Sequence, residues 1–314
     1  MNIKTYLQLK QKEVERRQHT IDCLSTSIVK NPSNWKAYLD RGEQYLYISK
    51  YEAAISDYTQ LIDRGVFLRE AYIGKGHAES GLGNKLNALE DYSLAIQADS
   101  THIHAYYLYA SIQELLGDRE AIIDIYDRFI AINSKNSAAY HNRASAKEEL
   151  GRYAEAILDY TKSIELDDID KLDRANLDVS NSGCLLSYFH RGNAKLKYGD
   201  RQGAIEDYTE VITFRAITTD DLMIIGKARR YKGDREGAIR DFTKTIAPFR
   251  SCSSTAHYEI ALTKLEMGDR QGAIDDANLA INFSELSEGE FDKNLALKLI
   301  ENIRLDISSG KHSS

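Results

Sequence analysis

Proline is nearly absent from these 314 residues, occurring only twice. So few forced breaks favour long, uninterrupted helices. Cysteine occurs three times, as Cys23, Cys184 and Cys252, each standing alone. That scatter excludes a disulfide framework and a paired-cysteine metal site, and it fits a reducing cytoplasmic location. No apolar run reaches the roughly 18 residues of a membrane span, so no membrane contact is expected. The opening "MNIKTYLQLKQKEVERRQHT" lacks the apolar stretch and small-residue cleavage site of a secretory leader. Positive charge is in deficit: the net charge is −7. This argues against a nucleic-acid partner, because phosphate binding needs a basic footprint. Tryptophan occurs once, whereas tyrosine occurs 20 times, and that abundance calls for an explanation.

Repetition supplies it. "GDRQGAIEDYTEVI" at 199–212 recurs as "GDREGAIRDFTKTI" at 233–246 and "GDRQGAIDDANLAI" at 268–281. Upstream of the first copy sits "YFHRGNAKLKY", with counterparts such as "YLDRGEQYLYI" at 38–48 and "YHNRASAKEEL" at 140–150. One position in each counterpart is small: Gly42, Gly76, Ala110, Ala144, Gly192, Gly226 and Ala261, spaced by 34, 34, 34, 48, 34 and 35 residues. Glycine inside a helix costs about 0.5–1 kcal/mol relative to alanine. A small residue kept there implies that a neighbouring helix comes too close for a larger one.

Each unit reads as two helices. The first opens on Tyr38, Tyr72, Tyr106, Tyr140 or Tyr188, with Leu222 and His257 in the last two units, and ends before a glycine, or before Ser49 in the first. The second carries a small residue, then an aromatic four positions on (Tyr58, Tyr92, Tyr126, Tyr160, Tyr208, Phe242), then an isoleucine after four more. That stripe is one helical face. Ten of the tyrosines fill two slots of the unit, so they are read as core rather than as a ligand box.

A 34-residue helix–turn–helix unit with small crossing residues and fixed aromatics resembles the tetratricopeptide repeat family. The resemblance covers about residues 35–283. It implies an all-α, right-handed α-solenoid of about seven units with capping helices at both ends. The chain departs from the family pattern in three ways: tyrosine replaces the opening tryptophan, the closing proline is missing, and the last two units lose aromatics. The organisation expected is an N-terminal helical cap or half repeat (1–34), units one to four (35–168), an acidic insertion (169–184), units five to seven (185–283), and a C-terminal capping helix with a loose tail (284–314). The insertion is read as a solvated loop or an extended helix end, with a partner-contacting flap as the alternative.

Two patterns suggest roles for side chains. An aspartate recurs at Asp57, Asp91, Asp159, Asp207, Asp241 and Asp276, while Arg41, Lys75, Arg143 and Arg191 precede the small residue of the first helix. An ion pair between the two helices of a unit is expected, exposed and worth about 0–1 kcal/mol. In "GDR" the aspartate reads as a helix start and not as part of a phosphate loop. Because such aspartates fall on separate units, they do not gather into a catalytic or metal site.

In the family the first helices line a concave groove. The resemblance therefore makes Tyr47, His77, His104, Tyr107, His141, Asn142, Phe189, His190, Asn193, Lys227 and Arg230 candidate groove residues. No nucleophile–base pairing or metal-ligand spacing accompanies them, so no enzyme activity, metal or cofactor is expected. Some family members grip an acidic C-terminus with lysines and asparagines. Here Leu39, Ile73, Tyr107, His141 and Phe189 occupy the slots where a lysine would be needed, which argues against that co-chaperone role. The lining suits a neutral or weakly polar peptide or a partner helix. The leading expectation is a protein-interaction scaffold. The alternative is a structural or accessory subunit that assembles or self-associates through its ends. An RNA reader ranks below both, and the basic stretch "GKARRYKGDR" at 226–235 is read as a solvated face.

Overall fold

Glycines able to turn left-handed and aspartates able to start helices set the rhythm of the chain. Gly83, Gly117, Gly151, Gly199, Gly233 and Gly268 all adopt positive φ, between 75° and 101°, a region where a side chain would be strained. Four of them precede an aspartate that caps the next helix. The carboxylates of Asp118, Asp200, Asp234 and Asp269 accept the backbone N–H three residues on at 2.9–3.0 Å. "GDR" is thus turn punctuation. In a computed structural model, which describes residues 3–174, 182–246, 253–286 and 291–308, every described element between these signals is a helix.

A leading helix, α1 (Ile3–Lys30), is followed by seven pairs. Repeat one is α2 (Trp35–Tyr47) with α3 (Tyr51–Asp63), and repeat two is α4 (Leu68–Gly81) with α5 (Lys85–Ala98). Repeat three is α6 (Ile103–Leu116) with α7 (Arg119–Ile132), and repeat four is α8 (Ser137–Glu149) with α9 (Tyr153–Arg174). Repeat five pairs α10 (Ser182–Tyr198) with α11 (Arg201–Thr213), and repeat six pairs α12 (Thr219–Lys232) with α13 (Arg235–Ile246). Repeat seven is α14 (Ser253–Glu266) with α15 (Arg270–Leu286), and α16 (Lys293–Ser308) closes the chain. The helices form two compact bodies, Met1–Ala146 and Lys147–Ser314.

In both bodies the second-helix aromatics are the core. Tyr58, Tyr92, Tyr126, Tyr160, Tyr208 and Phe242 are each at most 2% exposed. Burying such a ring stabilises by roughly 1.5–3 kcal/mol. The ring also explains the small slot. A methyl group added at Gly42, Gly76, Gly192 or Gly226 would lie 2.5–2.8 Å from the aromatic ring of the same repeat. The close neighbour is therefore a side chain and not the facing backbone. In repeat seven Ala277 replaces the ring, and α14 meets α15 through Ala261, Ala273 and Ala277, all fully buried.

The ends behave as caps. α1 buries Ile21 and Ile28 while its described N-terminal half stays largely exposed. α16 buries Ala296, Ile300 and Ile303 in the cluster it shares with α14 and α15. The break in the repeat spacing is partly helical: α9 continues to Arg174 and α10 starts at Ser182. The rest of the expected insertion, 175–181, lies outside the described residues.

Candidate interaction face

The repeated aspartates come first, because they fix the angle between the helices that carry everything else. Asp57 receives both Nε and Nη2 of Arg41, at 2.8 and 2.6 Å. Asp207 receives Arg191 in the same way, at 3.0 and 2.7 Å. Asp91 takes Lys75 at 2.7 Å. The expected pairing therefore forms in these repeats, but the expected exposure is wrong: the aspartates are only 2–3% exposed. Burial pushes the Asp57 and Asp91 carboxyls above the ordinary range, more than Arg41 and Lys75 pull them down. These are desolvated carboxylates, each facing a basic partner.

A second basic slot, three residues after the small one, was not read from the sequence. It holds Lys147, Lys195, Arg229 and Lys264. Lys147 reaches Asp159 at 2.8 Å, and Lys195 reaches Asp207 at 3.0 Å. In repeats six and seven, where Ile225 and Ile260 fill the first slot, this second slot takes over. Arg229 Nε lies 2.8 Å from Asp241, close as an ion pair but off-line for a hydrogen bond. Lys264 reaches Asp276 at 2.6 Å, with His257 Nδ1 at 2.9 Å on the other oxygen. Burial raises the Asp276 carboxyl, but His257 and Lys264 outweigh it and hold the group below its usual range. In repeat four Arg143 also bonds Asp127 of α7.

With the helix pairs so fixed, the first helices of the N-terminal body present histidines and tyrosines. His77 on α4 is half-buried and edge-on to Tyr92, with ring centroids 5.8 Å apart. Burial, then the nearby His104, depress its pKa. His104 on α6 is exposed. Tyr107 lies 6.2 Å from Tyr126, whose hydroxyl accepts Asn142 Nδ2 at 3.0 Å. His141 is half-buried on α8. Tyr47 stands apart at the end of α2. It is 56% exposed, with the Arg17 guanidinium of α1 3.9 Å above its ring.

The C-terminal body differs from expectation at two positions. Phe189 and Arg230 are buried, 7% and 8% exposed, and do not line a surface. Phe189 packs against Tyr208 and stacks beneath Tyr231, with centroids 6.1 and 6.2 Å away. Arg230 binds Glu259 at 2.8 Å. "GKARRYKGDR" is therefore only partly a solvated face: residues 231–234 are exposed, whereas Lys227 also reaches Glu259, at 3.2 Å, and Arg229 bonds Asp234 at 2.9 Å. His190 stacks on Tyr160 with centroids 5.9 Å apart. Burial lowers its pKa against the pull of Glu148. Asn193 accepts the Tyr208 hydroxyl at 2.8 Å. Glu148 collects the Tyr160 hydroxyl at 3.1 Å and Lys197 at 3.0 Å.

The profile of the tetratricopeptide repeat matches residues 70–102, 103–136 and 137–170, which are repeats two, three and four. The same slots recur in the remaining pairs. Repeats two to four of this chain are tetratricopeptide repeats. No curated protein matches its sequence. Among solved structures it is similar to a tetratricopeptide repeat protein from Parabacteroides merdae, at 19% identity over 83% of this chain and 96% of that one, with a TM-score of 0.51. It is also similar to PilW, a type IV pilus biogenesis factor, at 12% identity over 76% and 99%, with a TM-score of 0.53. A third similar structure is the APC/C hetero-tetramer Cut9–Hcn1, at 16% identity over 94% of this chain, with a TM-score of 0.54. This chain spans about half (54%) of that one's length. These likenesses carry the fold alone.

Tetratricopeptide repeats build protein-interaction scaffolds, and both bodies have that construction. Among the described residues, no helix is long and apolar enough to cross a membrane, and no three acids, histidines or cysteines gather as a metal site. Four first-helix residues of this face, Glu148, Lys197, Tyr231 and Glu259, are not among those the sequence pointed to. Three of them, Glu148, Lys197 and Tyr231, sit four or five positions after the small residue, the slots that Arg230 and Tyr47 occupy in repeats six and one. That spacing was a usable signal.

Proposed function

We propose that this chain is a non-catalytic scaffold that binds a peptide or partner protein in the concave groove formed by the first helices of its repeats. One observation carries the reading. The second-helix aromatics that recur between repeats are buried in the core, whereas His77, His104, Tyr107, His190 and Lys227, which do not recur, stay half-buried or exposed on first helices. Such half-exposed aromatic and imidazole groups offer flat contact area with polar edges, a composition suited to peptide binding. The sparse, scattered cysteines favour a cytoplasmic site of action.

The experiment is affinity purification with the intact chain, beside two surface variants. One carries His104→Ala and Tyr107→Ala, the other His190→Ala and Lys227→Ala. Loss of a specific partner from either variant supports groove binding. A partner list unchanged in both would move recognition to the second helices or the ends. The second reading, an accessory subunit assembling end to end, draws on α16, where Leu295, Leu297 and Leu305 are 45%, 47% and 57% exposed. Light scattering that shows dimers abolished by Leu297→Ser with Leu305→Ser would favour it.

A further inference from the structure

Positive charge in the C-terminal body gathers around one exposed ring. α10 contains no acidic residue, and α12 contains none after Asp221. Of their cations, Arg191, Lys195 and Arg229 turn to the buried aspartates of their own repeats. Lys197, Lys227 and Arg230 do not. They meet Glu148 and Glu259, with Glu266 3.7 Å from Arg230 and shared with Arg235 at 3.4 Å.

The two members of each contact differ in access to solvent. The Lys197 and Lys227 side chains are 52% and 31% exposed, whereas those of Glu148 and Glu259 are each 10% exposed. The ammonium heads therefore lie on the solvent side of their carboxylates. Each head has three N–H groups, and one carboxylate partner takes up only part of that capacity. On the same helix as Lys227, Tyr231 is 43% exposed and held by Phe189, with its ring planes 22° apart, by Tyr208, 5.4 Å away, and by the Arg230 guanidinium, 5.1 Å over the ring centroid. A ring fixed in this way loses little entropy on binding a flat group. A chain of contacts puts both ammonium groups in one neighbourhood: Glu148, the Lys197 partner, lies 3.9 Å from His190 Nδ1, His190 is 5.6 Å from Phe189, Phe189 stacks on Tyr231, and Arg230 over that ring shares Glu259 with Lys227.

We propose that this patch recognises an acidic peptide segment in which a carboxylate side chain lies beside an aromatic one, the carboxylate bridging to Lys197 or Lys227 and the ring packing against the exposed part of Tyr231. The proposal rests on reading the first-helix face as the protein-binding surface. A nucleic acid fits less well, because the chain as a whole carries −7 and the cations of the patch are each paired with a carboxylate. Glu148 and Glu259 act as internal competitors that keep the cations occupied until a better-placed carboxylate arrives.

The test is selection of a displayed random 12-residue peptide library on the full chain, followed by fluorescence anisotropy of the enriched peptides. The expected result is enrichment of Asp or Glu next to Phe, Tyr or Trp. Affinity should fall about tenfold in Lys197→Gln with Lys227→Gln and more steeply at low salt, consistent with two exposed charge contacts. In Glu148→Gln affinity should rise about threefold, because the competitor is gone while an acceptor for Tyr160 remains. A merely structural role for Glu148 would not tighten binding. Enriched peptides without acids, or indifference to the lysine pair, would overturn the proposal. So would poly(U) RNA that binds and competes. Peptides lost only in the His104→Ala, Tyr107→Ala variant would overturn this patch and leave the groove reading standing. Enrichment of no peptide at all would remove both.

Discussion

Replacing Arg41 with methionine should unfold the first repeats well before the rest of the chain. Arg41 gives Asp57 two hydrogen bonds, and the Asp57 side chain is 5% exposed. Removing one partner of a buried pair costs about 3–5 kcal/mol. Arg41 is itself 17% exposed, so water would partly replace it, and about 2–4 kcal/mol is the reasoned figure. The stranded carboxylate also makes the loss depend on pH. Its folded-state pKa lies above its unfolded value, because burial dominates. The cost of ionisation therefore appears as pH rises from the unfolded pKa through the folded one, and the variant should regain stability on acidification. Hydrogen exchange across α2 and α3 is the assay, since a repeat array can open locally. Repeat three supplies the control. There Tyr109 and Ile125 occupy the two slots, Ile125 is 2% exposed, and the fold persists. Arg41→Tyr with Asp57→Ile should accordingly recover most of the lost protection. If Arg41→Met exchanges like the wild type, or the double variant is no better than the single one, the ion pair is not what sets this helix angle.

Further expectations concern local geometry. Ser49 holds a left-handed φ of 58° where the other repeats use glycine, so Ser49→Gly should stabilise by about 0.5–1 kcal/mol in thermal melts, and destabilisation would contradict the turn argument. Gly226→Ala places a methyl group 2.5 Å from Phe242. It should cost about 1–3 kcal/mol in denaturant titration, partly relieved by Phe242→Leu. Asp99 should titrate at about 2, held down by the Thr101 hydroxyl, then Arg69 and the Thr101 amide. Its contribution to stability is present above the unfolded pKa and is lost as pH falls through that lower value. A carbon-detected NMR midpoint near the ordinary aspartate value would disprove the clamp.

The fold was legible because the same physical demands are written in one repeat after another. A glycine pressed by a ring, a glycine in a left-handed turn and an aspartate at a helix start each leave a residue type that little else can replace. Repetition separates such demands from chance. The interaction face is harder to read for the same reason: its residues differ between repeats, so no copy checks another. Phe189 appeared exposed because it sits beside His190 on a first helix, yet the ring of Tyr231, one repeat on, covers it. Arg230 appeared solvated because its carboxylate, Glu259, lies 29 positions downstream. The depth of the aspartates was missed because counting charges reveals partners and not burial.

The Asp–base contact has a consequence for how such a chain can be lengthened. In repeats one, two and four to seven, each buried aspartate has a cation within its own repeat, from one slot or the other. A repeat copied or excised by recombination therefore brings or removes its own counter-ion, and no stranded charge is left behind. The contacts of Glu148 with Lys197 and of Glu259 with Arg230 run instead between neighbouring repeats. Duplication should be tolerated readily within the first three repeats and resisted at the junctions between four and five and between six and seven, where a cut would orphan a carboxylate.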